Sequence, residues 1–148
     1  MIRTAIKRLH FLNETIPQLL YKINEPAWSL KSHPDKWSKI EILGHLIDSA
    51  TNNHHRFVRG QFEENAKITY DQNNWNKYNF YSKIKTAQVI AFWEIYNKQL
   101  AELLKNITAQ NFSKNCEIGD NQYVTLEFVL MDYVKHLEHH LKQIVDYT

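Results

Sequence analysis

An all-α four-helix bundle is the fold this sequence predicts, and three observations predict it. Apolar residues recur every three or four positions through stretches longer than ordinary strands. Only three glycines and three prolines punctuate the 148 residues, too few for a chain built of many short strands and turns. One hydrophobic core accounts for a chain of this length, so residues 1–148 read as a single domain.

The first helix is predicted from about Ala5 to about Ile23, where Ile6, Leu9, Ile16, Leu19, Leu20 and Ile23 form one apolar side. Pro26 and Pro34 mark the connector that follows. The second helix opens at Ser38, whose hydroxyl suits a free backbone N–H, while Glu41 three residues on suits the reciprocal bond. It is expected to reach about Gln61. From Phe62 to Tyr81 the sequence is polar and aromatic without a clear period, a connector longer than bundle loops usually are and of the kind that covers a site.

A third helix is expected from near Ser82 to Asn106 or Thr108, with Val89, Phe92, Trp93, Tyr96, Leu100 and Leu103 at helical spacing. Cys116 and Gly119 fall in the next connector, and Thr125 caps a fourth helix running through LEFVLMDYVKHLEHHLKQIVDY. Long connectors allow crossover connections in place of simple up-down-up-down order. Most of the large rings, Trp37, Phe92, Trp93, Tyr96 and Tyr133, are assigned to the core.

Composition narrows the function. The formal charge of +2 is mild and the basic residues are dispersed, which argues against a nucleic-acid partner. No uninterrupted apolar run approaches the ~20 residues of a membrane span, and the N-terminal stretch lacks the apolar centre of a secretory signal. With a single cysteine as well, a cytoplasmic location is expected. There is no H-E-x-x-H and no P-C-x-x-C to accompany an H-x-E, so zinc protease and nucleobase deaminase signatures fail. A phosphate-binding glycine loop is absent. No Glu stands three residues before His136 or His140, which disfavours a carboxylate-bridged di-iron bundle.

Eight histidines are many for this length, and three of them fall in HLEHH on the last helix. Relative to the stripe of Leu126, Leu130, Tyr133, Leu137 and Ile144, His140 lies about 40° away, His136 about 80° and His139 about 140°. His136 and His140 therefore flank the core, and His139 points outward. Four residues apart, two imidazoles can converge on one ion, although two ordinary helix-flank histidines would show the same spacing. On the second helix, His45 shares its side with Glu41, Ser49, Asn52 and Arg56, so periodicity does not select it. His10, His33, His54 and His55 are no better placed.

A resemblance changes that weighting. The segments KWSKIEILGHLIDSATNNHHRF, YDQNNW and DYVKHLEHHLKQI together resemble the DinB-like superfamily of four-helix-bundle metalloproteins, related to metal-dependent bacillithiol transferases. The resemblance covers nearly the whole chain and implies a DinB-like bundle whose metal is held by His45, His136 and His140. Three imidazoles with one open position match catalytic zinc sites, and imidazole suits nickel equally, so one Zn or Ni ion is expected. Asp132 and Asp48, near the histidines in sequence, are candidates to fix their tautomers. Tyr70, Asp71 and Trp75 of the YDQNNW segment, with Arg56 as an anion anchor, are candidates to contact a small-molecule substrate.

Two chemistries fit such a site. The transferase relatives imply delivery of a low-molecular-weight thiol to an electrophile, and a metal-activated water would instead give a hydrolase. The third reading is a non-catalytic metal- or ligand-binding bundle, and exposed aromatic helix faces would suit a homodimer. No side chain is singled out as catalytic, and Cys116 is not needed as a nucleophile.

Overall fold

All 148 residues are described by a computed structural model of the protein. The elements run α1 (Ile2–Tyr21), α2 (Glu25–Trp28), α3 (Lys39–Arg59), β1 (Ala66–Lys67), α4 (Gln72–Asn79), a 3-10 turn (Tyr81–Lys83), α5 (Thr86–Asn106), α6 (Ala109–Phe112), β2 (Asn115–Glu117), β3 (Tyr123–Thr125) and α7 (Leu126–Leu141). The four long helices form the bundle, and no helix is long and apolar enough to cross a membrane.

Each of α1 and α3 packs against both α5 and α7. Around the bundle the order is thus α1, α5, α3, α7, with α1 and α3 on one diagonal and α5 and α7 on the other. The connectors before α3 and before α7 cross the ends of the bundle, as the crossover variant requires. One consequence is central to the site: α3 and α7 are neighbours in space although far apart in sequence. Leu9, Leu12, Ile16 and Leu20 of α1, Leu43, Leu46 and Phe57 of α3, Trp93, Leu100 and Leu104 of α5, and Leu126, Leu130 and Leu137 of α7 are fully buried between them. Tyr133 also lies in this core, its hydroxyl donating to Asn97 Oδ1 and its ring meeting Phe57 edge to face.

Local chemistry sets the helix ends. Ser38 and Glu41 form the expected capping box: Glu41 N–H donates to Ser38 Oγ at 3.4 Å, and Ser38 N–H donates to Glu41 Oε1 at 3.1 Å. Thr125 caps α7 by accepting from Phe128 N–H at 3.1 Å. Caps of this kind contribute about 1 kcal/mol each.

The structure departs from the sequence reading in four places. The Phe62–Tyr81 connector is not irregular, because Asp71 caps α4 by accepting from Asn74 N–H, and Phe80 ends it with a φ of 55°. A three-stranded sheet, ordered β1-β2-β3, joins the segment after α3 to the one before α7. In it Ala66 pairs in parallel with Cys116, and Cys116 pairs antiparallel with Val124. The last helix stops at Leu141 and turns, which lets Ile144 fold back into the core, 4% exposed. Phe92 is not a core ring: it is 49% exposed and stacks on Tyr96.

Candidate metal centre

His45 lies in the second turn of α3 and is 1% exposed. Three features hold its level of the helix. Trp37, just before the cap, packs against the imidazole at a tilt, with ring centroids 4.7 Å apart and an interplanar angle of 36°. Gly44 leaves room for the Tyr81 ring against the helix backbone, where any Cβ would collide with it. The Tyr81 hydroxyl then donates to Asp48 Oδ1, and Asn79 Nδ2 donates to the same oxygen at 2.9 Å, fastening the end of α4 to α3.

From the facing helix, α7, His136 and His140 project toward His45. The nitrogens of the three rings lie within 4.8 Å of one another, and His45 Nε2 is 3.0 Å from His136 Nε2. A tetrahedral ion bound at ~2.0–2.1 Å would hold its nitrogen ligands about 3.3 Å apart, close to the His45–His136 separation and inside the span of the whole cluster, so side-chain rotation alone would bring the three rings onto one ion. The donor set is chemically suitable as well. Burial, aided by the charge each ring would impose on the others, lowers the pKa of His45 to about 3 and of His136 to about 4, and burial lowers that of His140. All three are therefore neutral near pH 7, with lone pairs available to a cation.

The other predicted residues fall into two groups. Asp48 is buried but does not bond a histidine, since its carboxylate is turned toward Tyr81 and Asn79, and Asp132 is exposed without a bond to His136. Neither carboxylate makes the tautomer-fixing bond expected of it. Asp71 is engaged in capping α4, where it also accepts from Asn74 Nδ2 at 2.8 Å. Arg56 and Tyr70 come together instead: Arg56 donates to Asn53 Oδ1 at 3.0 Å and to the Ile68 carbonyl at 2.9 Å, while its buried Nε has no partner. Burial lowers the Arg56 pKa, with Cys116, Tyr70 and Asp132 opposing, and burial raises that of Tyr70, with Arg56 opposing. Trp75 meets Tyr70 edge to face at 5.9 Å. His139 is exposed, as its angle on the helix predicts.

Sequence reasoning missed two residues. Trp37 packs against the core as expected, but half-buried, and its second contact, with the candidate ligand His45, has no counterpart in the sequence reading. Gln143 was not considered, and its Oε1 lies 3.2 Å from His140 Nδ1. Both also line a cleft of about 570 Å3 with Leu30, Lys36 and Asn73. The position of Trp37 directly before a capping box was the available signal; for Gln143 there was none.

The chain is similar in sequence and fold to several known proteins. The DinB superfamily profile matches residues 8–144. A relative from Halalkalibacterium halodurans, "Putative metal-dependent hydrolase BH0277", is 24% identical over 97% of this chain and 84% of its own length. YfiT of Bacillus subtilis, given the same description, is 28% identical over 74% of this chain and 63% of its own. The solved YfiT structure, described as having an unusual four-helix bundle topology, superposes with a TM-score of 0.87 at 23% identity, covering 97% of this chain and 83% of that one. The mycothiol-dependent maleylpyruvate isomerase shares the fold at a TM-score of 0.81 and 10% identity, over 97% of this chain and 60% of its own.

Proposed function

Because the chain belongs to the DinB superfamily and brings three neutral imidazoles to one point, we propose that it is a metal-dependent enzyme acting on a small molecule. The observation that carries this reading is the convergence of His45 from α3 with His136 and His140 from α7. These three residues would hold one zinc or nickel ion. A divalent ion there would supply Lewis-acid charge, stabilising the deprotonated form of a thiol or water donor.

We place transfer of a low-molecular-weight thiol first and hydrolysis second. A thiol ionises readily beside a cation, whereas attack by water gains from a general base. The cluster contains imidazoles alone, and the one buried carboxylate nearby in sequence, Asp48, is engaged by Tyr81 and Asn79. The mycothiol dependence of the isomerase with the same fold supports the thiol reading, and the names of the two sequence relatives support hydrolysis. Cys116 is fully buried and donates nothing to either.

Within the chain, the charge of Arg56, fixed by its bonds to Asn53 and the Ile68 carbonyl, would attract an anionic group of the substrate, with Tyr70 and Trp75 forming the adjoining wall. Arg56 follows His45 by eleven residues, about 16 Å of helix rise, so the substrate would be extended along the helix. The test is to load metal-free protein with zinc or nickel and assay conjugation of small thiols to an aryl chloride beside hydrolysis of activated esters. Metal-dependent conjugation lost in His136→Ala supports the first reading, and metal-dependent ester hydrolysis alone supports the second. Failure of the wild type to take up either metal would overturn both.

A further inference from the structure

Each candidate ligand offers one nitrogen to an ion and leaves the other to be satisfied elsewhere, and this second contact selects the tautomer. The predicted carboxylates do not provide it. Gln143 does, for one ligand: the amide Oε1 is 3.2 Å from His140 Nδ1, and the amide Nε2 is 3.4 Å from His139 Nε2. An amide offers an acceptor on one side and donors on the other, which orients the whole chain of contacts. His140 Nδ1–H donates to Gln143 Oε1, and Gln143 Nε2–H donates to His139 Nε2. His140 is left with its lone pair on Nε2, as its neighbour His136 presents Nε2 to His45.

We propose that Gln143 is a positioning residue that fixes the tautomer of His140, with His139 as its outer brace; this rests on the three-histidine reading of the site. The turn bearing Gln143 is itself anchored. Its N–H donates to the His140 carbonyl at 3.0 Å, Lys39 Nζ donates to the Ile144 carbonyl at 2.7 Å, and the Ile144 side chain is buried. The turn that carries Gln143 is thereby tied to the start of α3, the helix that carries His45. The outward histidine of HLEHH thus acquires a role that its distance from the core conceals.

The experiment compares wild type with Gln143→Leu, which removes the acceptor, and Gln143→Glu, which keeps it. In the metal-free proteins, imidazole nitrogen NMR reads the His140 tautomer directly. Nδ1–H is expected in wild type and in Gln143→Glu, with mixed tautomers in Gln143→Leu. Zinc affinity, read by chelator competition, is expected to fall about tenfold in Gln143→Leu and to persist in Gln143→Glu, the scale of outer-partner effects at metal sites. An unchanged tautomer in Gln143→Leu, or equal weakening in both variants, would overturn the proposal. Absence of zinc binding by the wild type would sink the metal-enzyme reading instead, with the tautomer measurement still testing Gln143.

Discussion

Helix α3 carries histidines at two levels, and only one of them forms a candidate site. His45 is buried, packed against Trp37 and met by two imidazoles from α7. Two turns on, His54 and His55 are adjacent in sequence, so their side chains diverge by about 100° around the helix. His54 Nδ1 lies 3.0 Å from the Tyr96 hydroxyl, and His55 is exposed. The second level has as many histidines on one helix as α7 contributes to the first. What it lacks is the four-residue spacing and a facing helix that supplies a further ligand. The number of histidines is therefore a poor guide, and convergence from two elements is the informative quantity.

Metal content should separate the two levels most sharply. Elemental analysis is expected to give about one zinc or nickel per chain in wild type, His54→Ala, His55→Ala and His139→Ala. Replacing His45, His136 or His140 by Ala should lower affinity by more than the roughly 10- to 100-fold typical of outer partners. Retention of metal by His45→Ala with loss in His54→Ala would reverse the comparison.

The next effect concerns packing. Gly44→Ala places a methyl group where the Tyr81 ring sits, and should cost about 1–3 kcal/mol in chemical denaturation of the metal-free protein. Gly60→Ala meets the flexible end of Leu126 and a backbone carbonyl at the end of α3, far from His45, so it should leave metal affinity unchanged while Gly44→Ala lowers it.

The levels also differ in their response to pH. The folded pKa values of His45 and His136, about 3 and about 4, lie below the ordinary 6.5, so the unfolded chain binds more protons than the fold between these limits. Metal-free stability should therefore be intact above about pH 6.5 and fall as the pH drops toward 3–4. His45→Ala should flatten that slope. Asp48 acts with the opposite sign: burial raises its pKa from 3.8 to about 6, so its contribution weakens stability as the pH rises through that window. Asp48→Asn should remove this part, gaining up to about 3 kcal/mol at pH 7 and little at pH 4, as urea titrations at the two pH values would show. Least of all, Tyr96→Phe removes the contact to His54 at the other level and should change stability by less than about 1 kcal/mol, with no effect on metal binding.

The local signals are the most legible part of the sequence. The capping box of Ser38 and Glu41 and the Thr125 cap depend on residues three apart, and the structure contains both. The long helices were legible because each keeps an apolar stripe over several turns. Periodicity failed for His45 because its side of α3 is polar yet buried: Ser49 is 3% exposed and Asn52 5%. Polarity stood in for exposure there, and only a family resemblance brought His45 forward. Helix α4 was missed because QNNWNKYN has almost no apolar stripe and is held by Asn76 Nδ2 donating to the Glu41 carbonyl. Strands of two and three residues are too short to show alternation. Gln143 was invisible because its contact depends on the turn after α7, where the apolar period continues through Ile144 although the helix does not.

The diagonal arrangement of the bundle also orders events in time. His45 and His136 are separated by 91 positions, and the histidines of α7 reach α3 only after the connectors have crossed the bundle. Closing so long a loop costs entropy that must be offset by packing of α7 before three nitrogens can face one another. An ion held there would thus be unsuited to nucleate folding and suited to lock a bundle already assembled. Once captured it would tie distant parts of the chain together, so that unfolding would either release the metal or carry a cross-link spanning most of the molecule.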